Sequence, residues 1–164
     1  PGHPPAMISL AYIKYKDDKL KEARHIINEV IKTKPPRKEE LALAYTMLGS
    51  INSRLAEKGW ILNKIKYGTQ IKRYFVSAKE LAPDLPEVRL GLGTFYLLAP
   101  SFIGGNLDKA IDELKECVEI APDFATANAR LAQAYQRKGV ADKSLFYKNK
   151  ARQLDPENEA LKEF

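Results

Sequence analysis

Four amphipathic segments that each run into a proline set the terms for what this chain can fold into. "DKLKEARHIINEVIKTKP", "GTQIKRYFVSAKELAP", "LDKAIDELKECVEIAP" and "ADKSLFYKNKARQLDP" end at Pro35, Pro83, Pro122 and Pro156. In the third, Leu107, Ala110, Ile111, Leu114, Cys117 and Val118 form one helical stripe with charges opposite. Proline cannot continue a helix and disfavours it in the residue before, so each segment reads as a helix with a fixed stop. Aligned on those prolines, the chain repeats itself. Five residues earlier stand Val30, Ala78, Cys117 and Ala151, and seven before those stand Ala23, Ile71, Ala110 and Ser144. Seven residues are about two helical turns, so both sites face one neighbour, and small side chains there allow close approach.

A second marker lies upstream. The pairs Leu10–Ala11, Leu48–Gly49, Leu92–Gly93 and Leu131–Ala132 each join a leucine to a small residue. Twelve residues separate Ala11 from Ala23 and Ala132 from Ser144, but seventeen separate Gly93 from Ala110 and twenty-two separate Gly49 from Ile71. The third unit therefore carries five extra residues and the second about ten. The last unit, "ATANARLAQAYQRKGVADKSLFYKNKARQLDPEN", is 34 residues long. With Leu131, Ala132, Tyr135, Gly139, Ser144, Ala151 and Pro156 in place, it resembles a tetratricopeptide repeat (TPR). Tyr45 and Tyr96 fit roles that such repeats give to aromatics of the first helix. The resemblance implies an all-α TPR-type solenoid forming a single domain over 1–164. Its four helix-turn-helix units lie near 4–37, 42–85, 86–124 and 125–158, and residues 159–164 start a partial cap.

The third unit's insertion is "LLAPSFIGGNLDKA", residues 97–110. Pro100 closes a helix, Gly104 and Gly105 permit a tight turn, and Asn106 suits the N-cap of the next helix. Phe102 and Ile103 at its centre either project as a docking tip or fold back, and the solubility cost of exposed apolar side chains favours folding back. The loop is similar to one found in bacterial TPR proteins, including the extracytoplasmic TPR component of TRAP-type transporters. That likeness leans the expected location from bacterial cytoplasm towards an extracytoplasmic compartment.

TPR arrays hold partner peptides or helices in the concave groove lined by their first helices. By resemblance, the groove here is lined by Ile8, Tyr12, Tyr15 and Lys16; by Thr46, Ser50 and Arg54; by Leu90, Thr94 and Leu97; and by Thr126, Arg130, Gln133 and Arg137. Tyrosines at one end and arginines at the other imply a protein partner with an acidic or carboxy-terminal segment. The Lys and Asn set that clamps heat-shock chaperone tails is not at these positions, so that specificity is excluded.

Two other functions stay open on sequence alone: a solute-transport accessory whose insertions shape a small-molecule cavity, and peripheral membrane attachment. The second would use residues 54–73, where six basic residues and one acidic interleave with Trp60, Ile61, Leu62 and Ile65. Packing of that insertion onto the repeats explains the pattern more simply. No nucleic-acid motif accompanies the net charge of +6. Exposure of Leu145 beyond a short cap would favour self-association. No catalytic residue, cofactor or metal site is expected. His3 and His25 have no ligand spacing with Cys117, no phosphate-binding loop occurs, and Cys117 sits at a tight packing position.

Overall fold

The computed structural model describes residues 3–33, 37–58 and 61–164, apart from the side chains of residues 61–66 and 69. It is all-α. Helices α1 (Pro4–Lys16) and α2 (Leu20–Lys32) form the first pair, and α3 (Lys38–Lys58) and α4 (Ile61–Leu81) the second. Helices α5 (Pro86–Leu98) and α6 (Leu107–Ile120) form the third, and α7 (Ala125–Lys138) and α8 (Ala141–Leu154) the fourth. Short 3-10 helices cover Ser101–Ile103 and Glu159–Glu163. The chain forms two compact units, Pro1–Pro83 and Asp84–Phe164, divided close to the expected junction of the second and third repeats.

The local sequence explains where the helices start and stop. Prolines open α1 and α5 in the first turn, where a missing N–H costs nothing. Helix α7 ends on Gly139 at φ 78°, with the amides of Gly139 and Val140 returning to Gln136 and Tyr135. A Cβ on Gly139 would meet nothing within 4 Å, so glycine is needed there for its backbone angle alone. The second repeat's extra residues lengthen both of its helices to 21 residues, against 13 or 14 elsewhere.

The small residues that mark the repeat are the contact seam. Ala11, Ala23, Val30, Ala78, Ala110, Cys117, Ala132 and Ala151 have no exposed surface, and Ile71 and Ser144 are buried beside them. At Gly49 an added Cβ would lie 2.7 Å from the Phe75 ring, and at Gly93 it would lie 2.7 Å from Leu114. Phe75 and Leu114 each stand three residues before the second seam position of their repeat, so one contact recurs in both units. In the first unit, α2 packs on both α1 and α3, and Leu20, Ile27, Val30, Met47, Leu48 and Ile51 fill the space between them. In the second unit, Arg89 of α5 crosses to Glu113 of α6 at 2.7 Å, with both side chains about nine-tenths buried. Arg89 also reaches the half-exposed Glu116 at 2.6 Å.

Candidate partner-binding faces

In the first unit the expected site residues come from α1 and α3. Tyr12 is open, at 53% exposure, and Leu10 and Ile13 beside it are similarly exposed. Ile8 and Tyr15 are half-buried and pack against the core, while Lys16 is exposed. Thr46 is buried, with its hydroxyl donating to the Ala42 carbonyl, and so does not line the face. Ser50 donates back to Thr46 at 3.1 Å. The Arg54 guanidinium lies 4.6 Å from the centre of the Tyr15 ring and donates to the Tyr15 carbonyl at 2.9 Å. That carbonyl belongs to the last turn of α1, the negative end of the helix dipole.

The same device recurs in the second unit. Arg137 of α7 donates to the Leu97 carbonyl, in the last turn of α5, at 2.5 Å. Arg54 and Arg137 each stand five residues after the small member of their Leu-small pair. Tyr15 and Leu97 each stand four residues after the equivalent residue of the preceding repeat. These two arginines therefore tie successive first helices together. Leu97 is buried, and Leu90 and Thr94 are half-buried.

Thr126, Arg130 and Gln133 form a stripe along α7, and the structure shows what that stripe holds. Arg130 donates to both oxygens of Glu163, at 2.5 and 2.9 Å, and to the Gln133 side-chain oxygen at 2.9 Å. Gln133, 6% exposed, turns its amide nitrogen onto the Ala160 carbonyl at 2.8 Å. Asn158 donates to the Thr126 hydroxyl at 3.0 Å and also caps the closing 3-10 helix by accepting from the Ala160 amide. Ala160 is buried against Ala129 and Ala151, and Leu161 packs on the same cluster. Residues 159–163 thus extend the expected cap into a segment bound by its backbone, its apolar side and its charge. Sequence reasoning missed Glu163; its one signal was an acidic residue in "ENEALKEF" following a stripe that carries an arginine.

The expectation that Phe102 folds back is corrected. Phe102 projects with 80% of its surface exposed, and Ile103 is half-buried. The loop closes on its own backbone: Gly105 donates to the Pro100 carbonyl at 3.0 Å and Asn106 to the Tyr96 carbonyl at 2.9 Å. Gly104 takes φ 113°, and a Cβ on Gly105 would sit 1.8 Å from the Ala99 oxygen. These bonds and glycines set the course of the backbone that carries Phe102 outward. Asn106 caps α6 as expected, accepting from the Lys109 amide at 2.9 Å.

Of the basic stretch 54–73, Trp60 and the side chains of Ile61, Leu62 and Ile65 lie outside the described residues, as does Pro35. No described helix is long and apolar enough to cross a membrane. Among the described residues no cluster of three metal-ligating side chains occurs. Cys117 is buried, with its thiol donating to the Pro86 carbonyl, and burial pushes its pKa up to about 12. Leu145 and Phe146 on α8 are about 60% exposed. A surface depression of about 310 Å³ lies in the first unit, at the α1–α2 turn beside the end of α3. Another of about 330 Å³ lies in the second, along α8 at Phe146 and apart from the Arg130 stripe.

A tetratricopeptide repeat family model matches residues 104–124, across the start and body of α6. The chain is a TPR repeat protein. It is similar to small glutamine-rich tetratricopeptide repeat-containing protein 2 of Mycosarcoma maydis, with 31% identity over 128 residues. That match covers 77% of this chain but 32% of the fungal protein, so the TPR chain spans about a third of its curated relative's length. Its fold is similar to that of MamA, with TM-score 0.61, 21% identity, and coverage of 95% of this chain and 80% of that one. YrrB, described as a TPR protein with an unusual peptide-binding site, superposes with TM-score 0.59 and 19% identity over 98% of this chain and 73% of its own. TTC0263, a thermophilic TPR protein of Thermus thermophilus, gives TM-score 0.59 and 18% identity over 98% of this chain and 95% of its own. These structural likenesses carry the fold.

Proposed function

We propose that this TPR protein is a non-catalytic binding module that takes an acidic protein segment on the first-helix face of its second unit. TPR domains generally mediate protein–protein interactions, and their scaffolds are typically non-catalytic. The observation that carries the reading is the pairing of Gln133 with a backbone carbonyl and Arg130 with both oxygens of a carboxylate. An amide that reads main chain beside a guanidinium that reads an acid is a peptide-binding chemistry, and the forked geometry adds direction to charge. Open Tyr12 gives the first unit an aromatic contact of its own.

The test is an array of acidic and neutral peptides probed with the purified chain and with Arg130→Glu and Gln133→Ala. Preferential binding of acidic peptides, lost in both variants while helical circular dichroism is kept, is the expected result. Equal retention of acidic and neutral peptides, or retention unchanged in Arg130→Glu, refutes the reading.

A further inference from the structure

The closing 3-10 helix tells more than that the face can hold a peptide. Its backbone carbonyl at Ala160 goes to Gln133, and its carboxylate, three residues on at Glu163, goes to Arg130. Between them, Ala160 is 2% exposed in a pocket floored by Ala129 and Ala151, and Leu161 packs on the rim. Packed in one buried cluster with those two alanines, the position suits a small side chain. The Phe164 ring centre then lies 4.0 Å from the Lys148 ammonium of α8. Each contact constrains one position of whatever occupies the face: small, aliphatic, unconstrained, acidic.

We infer that the face is specific for a helical-turn segment of the pattern small–aliphatic–any–acidic, and that residues 160–163, "ALKE", are an internal copy of that ligand which a partner segment must displace. The inference rests on the peptide-binding reading above and adds its specificity and its regulation. An occupant tethered in the same chain competes at an effective concentration of about millimolar, set by the tether. The apparent affinity for an incoming segment is reduced by the fraction of time the face is free. Arg130 is 14% exposed beneath Glu163, which is itself about half exposed, so the internal carboxylate must leave before a competing one takes its place.

The experiment is fluorescence anisotropy with a labelled peptide, ENEALKEF, copying residues 157–164. It is titrated with the full chain, with Leu161→Asp/Glu163→Lys to empty the face, and with Glu163→Gln. The emptied variant is expected to bind at least about tenfold more tightly than the parent, and Glu163→Gln about two- to fivefold more tightly. Adding Arg130→Glu to the emptied variant abolishes the gain, as does lysine in place of the peptide's last glutamate. If the double variant loses helical signal, the comparison is made on Glu163→Gln, which removes only the charge. Equal affinity in all forms overturns the internal competition and leaves the peptide-binding reading standing. Binding to none overturns the pattern, and the array then decides the reading separately. A parent chain that sediments as a dimer dissolved by Glu163→Lys would place the occupant in a second copy and overturn the assignment.

Discussion

Arg89→Met isolates the buried ion pair of the second unit. Methionine keeps the apolar stem of the arginine and removes its charge, so packing changes little. Glu116, about half exposed, is rehydrated at small cost, whereas Glu113, at 10% exposure, loses the guanidinium 2.7 Å away where water cannot readily replace it. Breaking a pair at this depth costs about 3–5 kcal/mol. Native-state hydrogen exchange of the α5 amides reads that loss directly, as protection reduced by roughly two to three and a half orders of magnitude. The companion variant Arg89→Met/Glu113→Leu removes both charges and is expected within about 1 kcal/mol of the parent, because replacing a buried pair by apolar groups is often neutral. A single variant costing less than about 1 kcal/mol, or a double variant worse than the single, refutes the argument from desolvation.

Three more outcomes are expected. Gly93→Ala drives a methyl to 2.7 Å from the fully buried Leu114 and should cost about 1–3 kcal/mol in urea unfolding; an unchanged midpoint would show that Leu114 yields freely. Asn106→Ala removes the cap on Lys109 and should cost about 1 kcal/mol, while Asn106→Asp keeps it. Cys117, with its folded pKa near 12 against the ordinary 9.0, stays protonated when folded while the unfolded thiol ionises. Its contribution is therefore constant below about pH 9 and is lost as pH rises towards 12, at up to about 1.4 kcal/mol per pH unit. Cys117→Ala should flatten melting temperature against pH above about pH 9, and a slope equal to the parent's would count against it.

The repeat was legible because its seam is a local property. Close helix contact demands small residues two turns apart, and proline stops are written in the chain itself, so Ala110, Cys117 and Pro122 announce a helix and its partner together. Spacing measured the residues inserted between the two markers, but it could not say whether they would lengthen helices or loop out, and it missed that α3 starts at Lys38, ahead of the expected repeat. Phe102 was misjudged because an argument from apolar exposure ignores the backbone, and here the loop closes on Pro100 and Tyr96 with its tip outward. The buried Arg89–Glu113 pair was hidden by treating charge as surface, although Glu113 stands three residues after Ala110 and four before Cys117, on the seam itself. The arginine ties carried a register signal that only the fold makes readable. Arg54 and Arg137 occupy equivalent positions in alternate repeats, and their targets are main-chain oxygens, which no side-chain pattern reveals. The contact of Arg130 with Glu163 joins residues 33 apart through a helix too short to show a period.

The loop between α5 and α6 makes this protein a mount for a foreign side chain. Its shape is held by Pro100, Gly104, Gly105 and Asn106 through backbone bonds and a single sterically obligatory glycine. The identity of residue 102 contributes little to that frame, since its side chain is 80% exposed. A reactive or binding side chain exchanged for Phe102 would therefore be presented from a fixed backbone, with half-buried Ile103 kept as part of the frame. It would start with the conformational entropy of binding already spent.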